Sequence, residues 1–164
     1  MMKSIWILAI SIAWLNAFTS CSKADKSTHY RLKCDTLLRN MEESYSAFVP
    51  KNEGKDSQGI AMNLTTLRYE LQGYQYEIES MRVPAKDSLF WVGVLRLADT
   101  YFSLSWELLP LTVFPKFDPE SPKIQIEHEI NKRKKEGILF YLQYARQLPK
   151  GHQDYWNKLL NQKS

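Results

Sequence analysis

Histidine and cysteine are two residue types that could supply a metal ligand, a general base or a nucleophile in this chain. The chain of 164 residues contains three histidines and two cysteines. His29, His128 and His152 form neither an HExxH motif nor a Glu-x-x-His pair, so their spacing predicts no metal site in a helical protein. The sequence also has no glycine-rich phosphate loop and no GxSxG motif. We therefore predict no catalytic residue, no metal and no cofactor, and we expect His29 and His152, near predicted helix starts, to be solvated.

A dense basic run is the first candidate binding feature. It consists of Lys132, Arg133, Lys134 and Lys135. Such a run could contact anionic lipid headgroups or an acidic partner. The alternative, which we favour, is a solvated helix face whose charge is partly cancelled by flanking glutamates. These glutamates are Glu127, Glu129 and Glu136.

Tyr69 and Tyr76 are the second candidate binding residues. They fall off the apolar seam of the second predicted helix. Tyrosine on an exposed helix face is a favoured interface residue, which makes this pair a candidate contact surface for a protein. The alternative is that both tyrosines pack on a neighbouring helix, and this is the more frequent arrangement in a bundle.

The elements that would carry these residues are helices. A stripe spaced by threes and fours predicts a first helix that ends at Pro50, with Asp35 and Glu42 mostly off the stripe and at the surface. Its members are Tyr30, Cys34, Leu37, Leu38, Met41, Tyr45 and Phe48. After a loop over 51–59, an a/d pattern predicts a second helix. This seam comprises Ile60, Leu64, Leu67, Leu71, Tyr74, Ile78 and Met81.

The third predicted helix, from about Asp87 to Leu109, is apolar around most of its circumference. Such a helix belongs at the centre of a bundle. We expect it to be the most buried element, with one side formed by Trp91, Leu95, Phe102 and Trp106.

A fourth helix is predicted from about Pro122 to Leu148, and a short fifth helix begins at Asp154. The alternative for this region is a β-hairpin near 111–130, with strands at 111–117 and 123–130. Pro115 argues against the hairpin, and an isolated two-stranded hairpin is marginally stable. The sequence thus predicts an all-α, up-down four-helix bundle with a short C-terminal fifth helix, formed by one domain over 28–164.

The N-terminus predicts export. Residues 1–20 have a short cationic start, an apolar centre and a small-residue end, which is the pattern of a secretory signal peptide. Phe18-Thr19-Ser20-Cys21 resembles the lipobox of bacterial lipoproteins, although Phe18 replaces the more common leucine. The resemblance implies cleavage before Cys21, lipidation of that residue, and a tether over 21–27. Ser22 after the cysteine implies the outer membrane rather than the inner one. The alternative is an ordinary secreted protein cleaved after Ala24.

Composition and location together predict the class of function. The 22 basic and 18 acidic residues give a formal charge of only +4, which does not favour nucleic-acid binding. We predict a lipid-anchored, non-enzymatic envelope protein that binds a protein partner, such as an inhibitor, immunity or exclusion protein or an accessory subunit. The alternative is an envelope enzyme or small-ligand carrier with a cavity inside the bundle.

Overall fold

A computed structural model describes residues 26–48, 56–108 and 122–162, and these residues are mostly helical. Helix α1 covers 26–48, α2 Ser57–Ser80, α3 Ser88–Ser105, α4 Pro122–Tyr144 and α5 Lys150–Asn161. A turn of 3₁₀-helix, Ala85–Asp87, leads into α3. The predicted signal peptide and Cys21 lie outside the described residues. Among the helices described, none combines the length and the apolar character that a membrane span needs.

The four long helices alternate in direction. Lys33, early in α1, contacts Glu77, late in α2. Arg68 of α2 contacts the backbone of the last residue of α3, and Glu107 just after α3 pairs with Arg133 of α4. Gly93 of α3 lies close to Tyr144 of α4, whereas Thr100, later in α3, lies close to Gly137, earlier in α4, so these two helices are antiparallel. The short segment 81–87 reverses the chain between α2 and α3. The predicted up-down four-helix bundle with a short fifth helix is therefore confirmed.

The predicted stripes of α1 and α2 form the core. All seven members of the α1 stripe are buried, including Cys34. In α2 five seam residues are buried, while Tyr74 and Met81 are half-buried. These faces are determined by local spacing, since residues three and four apart share a helix face.

The predicted inward side of α3 is wrong in one important respect. Trp106 is 58% exposed, and the fully buried positions are instead Phe90, Val94, Leu97, Ala98, Tyr101 and Leu104. Trp91, Leu95 and Phe102 are half-buried. α3 packs closely on α4 at Gly93, where a Cβ atom would come within 3.1 Å of Tyr144 Cδ2. Because the apolar surface of α3 is wide, close contacts with its neighbours determine which part turns inward.

The ends of the elements also differ from the predictions. Residues 122–130 are helical, so the hairpin strand at 123–130 is wrong, and 111–117 lies outside the described residues. α2 starts within the predicted loop because Asp56 caps it, accepting a hydrogen bond from the Gly59 amide at 2.7 Å. α1 already includes residues 26 and 27, which we assigned to the tether.

Candidate functional site

Three large apolar side chains form an exposed line along α2. Met62, Tyr69 and Tyr76 are 66%, 71% and 74% exposed. They are seven residues apart, and seven residues make almost two whole helical turns, so the three project from one face. The alternative prediction, in which Tyr69 and Tyr76 pack on a neighbouring helix, is wrong, because both side chains are exposed.

A groove between α2 and the end of α3 lies beside this line and shares Tyr69 with it. Its volume is about 240 Å³, and Arg68, Tyr69, Phe102 and Trp106 are among its lining residues. The guanidinium carbon of Arg68 lies 3.7 Å from the centroid of the Trp106 ring. This is a close cation–π contact, which holds both side chains in place at the surface.

The end of α3 explains why Trp106 points outward. The regular helix stops at Ser105, and the Trp106 amide donates to the carbonyls of Leu104 and Ser103, so the last turn tightens. The Phe102 and Trp106 rings meet edge-on with centroids 6.5 Å apart. We call the set comprising Met62, Arg68, Tyr69, Tyr76 and Trp106 the aromatic surface.

The basic run on α4 has contacts that the sequence did not reveal. Lys134 is not part of a solvated face, because its side chain is 18% exposed and its Nζ lies 2.6 Å from Glu42 Oε1. The same ammonium group is 3.1 Å from Ser46 Oγ. Glu42, expected at the surface, is buried. Lys134 therefore links α4 to α1.

The other members of the run are paired with glutamates or partly buried. Arg133 pairs with Glu107, Lys132 Nζ lies 3.8 Å from Glu129 Oε2, and Lys135 is half-buried. Pairing of this kind leaves less charge available to an outside ligand than the sequence suggested. Binding by the run stays a prediction.

A buried carboxylate is the feature that sequence reasoning missed. Asp35, expected at the surface, is fully buried, and its Oδ1 accepts hydrogen bonds from Tyr141 Oη at 2.9 Å and Trp156 Nε1 at 2.7 Å. Its Oδ2 lies 2.6 Å from His152 Nδ1 and 2.9 Å from Arg39 Nε, the latter as an ion pair without hydrogen-bond geometry. We call these five residues the Asp35 network.

The Asp35 network corrects the expectation that His152 is solvated. The His152 ring contacts a buried carboxylate, whereas His29 is exposed as expected. His128 is exposed as well. A histidine held by a carboxylate is also the pairing found in general bases. The neighbouring Cys34 is no activated nucleophile, because burial raises the pKa of its thiol from 9.0 to about 12.

A second buried carboxylate connects α1 to the start of α3. Asp87 is fully buried and accepts hydrogen bonds from Ser27 Oγ and from Arg31, whose Nε lies 2.7 Å from Oδ1. These contacts compensate the burial of its charge. Among the residues described, no group of three or more histidine, cysteine or acidic side chains could hold a metal ion.

No family model, curated protein or solved structure matches this chain.

Proposed function

We propose that this chain is a lipid-anchored, non-enzymatic protein of the bacterial envelope that binds a protein partner through the aromatic surface. One observation carries the proposal: a tryptophan, two tyrosines and a methionine lie exposed on adjoining faces of α2 and α3, beside a half-buried arginine that stacks on the tryptophan. Trp, Tyr and Arg are the residue types that contribute most to protein interfaces. An inhibitor, immunity or exclusion protein, or an accessory subunit, would use such a surface.

The order of this surface supports binding rather than accidental exposure. Stacking on Trp106 fixes the Arg68 side chain, so less rotamer freedom is lost when a partner covers it. Burial lowers the pKa of the Arg68 guanidinium. Tyr69 borders the same groove, so the apolar line of α2 and the stacked pair are continuous.

The competing function needs polar groups that converge on an internal cavity. In the described interior the polar side chains of the Asp35 network face one another instead. The groove beside Trp106 opens onto the surface. Nothing in the part of the chain that the structure describes favours an enzyme or carrier over a binding protein.

Site-specific photocrosslinking in native envelopes tests the binding surface. A photoreactive phenylalanine analogue at position 69 or 76 should give one discrete adduct, and Trp106→Ala should abolish it. The matched control places the analogue at Leu139, an equally apolar side chain that is 53% exposed on α4. An adduct at 139 but none at 69 and 76 would contradict the proposal, and an adduct of twice the chain mass would identify the partner as a second copy.

The anchor is tested separately. Mass spectrometry of the purified protein should show a diacylglyceryl group on Cys21, and Cys21→Ser should leave an unprocessed or mislocalised chain. An unmodified mature chain beginning at Asp25 would disprove lipidation while leaving the aromatic surface to be judged by its own experiment.

A further inference from the structure

A second groove lies at the end of the bundle where α1 begins and α2 ends. Its volume is about 740 Å³, and it is lined by the first turns of α1 and by the segment that joins α2 to α3. Its basic lining residues are Lys26, His29, Lys33 and Arg82. None of the described residues that line it is acidic, so this lining presents positive charge to a ligand that enters.

Two of these cations are available for a ligand. Lys33 Nζ lies 2.9 Å from Glu77 Oε1, which compensates part of its charge. Lys26 and Arg82 are exposed and pair with no acidic side chain among the described residues. The nearby buried Asp87 is occupied by contacts within the protein. Within the described part of the chain, the groove therefore keeps two cations that no carboxylate compensates.

The remaining wall of the groove is largely apolar. Met81, Val83 and Pro84 are half-buried in the segment after α2, and Tyr30 forms part of the opposite wall. A cationic rim beside an apolar wall matches a ligand that is anionic at one end and apolar at the other. A phospholipid has this chemistry, since its phosphate adjoins a glycerol ester and acyl chains.

The place of the groove in the chain points to the same ligand. Lys26 is five residues after Cys21. Five extended residues reach at most about 18 Å, so a lipid on Cys21 would keep this end of the bundle close to the bilayer. Basic residues this near an anionic membrane attract its headgroups.

We propose that this groove binds the headgroup of an anionic phospholipid in the membrane that carries the anchor. The proposal rests on lipidation of Cys21 for its membrane location. The bound headgroup would orient the bundle with the start of α1 toward the bilayer. Because α3 runs away from that end, Trp106 would then face away from the membrane, where a partner could reach it.

A soluble short-chain lipid tests the groove itself. The full mature protein, purified from membranes in neutral detergent, is titrated with dihexanoyl phosphatidylglycerol by calorimetry. We expect Lys26→Gln with Arg82→Gln to weaken binding about thirtyfold, the loss given by two cations of the strength typical near anionic lipid. The matched control, Lys150→Gln with Lys158→Gln, removes the same charge from exposed positions of α5 and should bind as the unmodified protein does.

Several results would overturn the proposal. Equal affinity for dihexanoyl phosphatidylcholine would show that the anionic headgroup is not recognised. Inorganic phosphate binding as tightly as the lipid would assign the groove to a free anion, and tighter binding of polyglutamate would assign it to an acidic protein. An equal loss in the control pair would show an effect of net charge alone, and absence of binding would exclude the site. Because lipidation is read by mass, failure of the anchor and failure of the groove are distinguishable.

Discussion

Replacing Asp35 with alanine should strongly destabilise the bundle. Asp35 is fully buried on α1 and is the acceptor for donors from α4 and α5. Alanine would leave Tyr141 Oη and Trp156 Nε1 buried without an acceptor, and both of these side chains are fully buried. The perturbation thus removes one carboxylate and leaves its partners in an apolar interior.

The magnitude follows from the separate contacts. Each hydrogen bond to a charged acceptor contributes about 1.5–3 kcal/mol, and the Asp35 network has two such bonds from fully buried donors. Arg39 and His152 are partly exposed, so water can solvate them in the variant and they add less. We expect a loss of about 3–5 kcal/mol, a large part of the roughly 5–15 kcal/mol available to a domain.

Urea unfolding of the purified protein, followed by circular dichroism, measures this loss. Asp99→Asn is the matched control because Asp99 is exposed on α3. Its free energy of unfolding should differ from that of the unmodified protein by less than about 0.5 kcal/mol. Tyr141→Phe should cost less than the alanine variant, because the carboxylate keeps its other partners. If the Asp35→Ala midpoint moved no more than that of the control, our account of this network as a major stabilising contact would be refuted.

Three further outcomes are expected. The Cys34 thiol should resist a thiol reagent until urea unfolds the chain. Because burial raises the pKa of this thiol from 9.0 to about 12, its contribution to the free energy of unfolding is complete below pH 9 and is lost as the pH rises toward 12. Cys34→Ala should reduce this loss of stability at high pH. Gly137→Ala should destabilise the protein by about 1–3 kcal/mol in thermal unfolding, because the new Cβ atom would lie 2.9 Å from Thr100 Oγ1. Gly73→Ala should instead stabilise α2 by about 0.5–1 kcal/mol, because no atom lies within 4 Å of the new Cβ atom. Lys134→Ala should cost about 1–3 kcal/mol by leaving a buried glutamate of α1 without its cation, and an unchanged urea midpoint would contradict that contact.

The buried faces of α1 and α2 could be predicted because they depend on local spacing. Residues such as Leu38 and Leu71 lie on stripes that remain on one side of a helix whatever packs against it. The side of α3 could not be predicted in the same way. Its apolar residues surround most of the helix, and close contacts at Gly93 and Gly137 select the buried side from several that are equally apolar.

The polar interior could not be predicted because its members are distant in sequence. His152 lies 117 positions after Asp35, and neither residue has a local pattern that names the other. Their charged and polar side chains suggested the surface, which is correct for such residues unless partners meet them inside. The sequence indicates that Tyr69 and Tyr76 lie off the apolar seam of α2. It does not indicate that they are exposed, because their exposure depends on no described helix covering that face of α2.

The Asp35 network also has a consequence for the order in which the chain is made. Its donors come 106 and 121 positions after the carboxylate, so the ribosome completes α1 long before it adds Tyr141 and Trp156. Until then, the nascent chain has a carboxylate among the apolar side chains of α1 and nothing to pair with it, which disfavours early burial of that helix. Contacts this distant also close slowly. Translation of the C-terminal segment is therefore the step that permits native packing of α1.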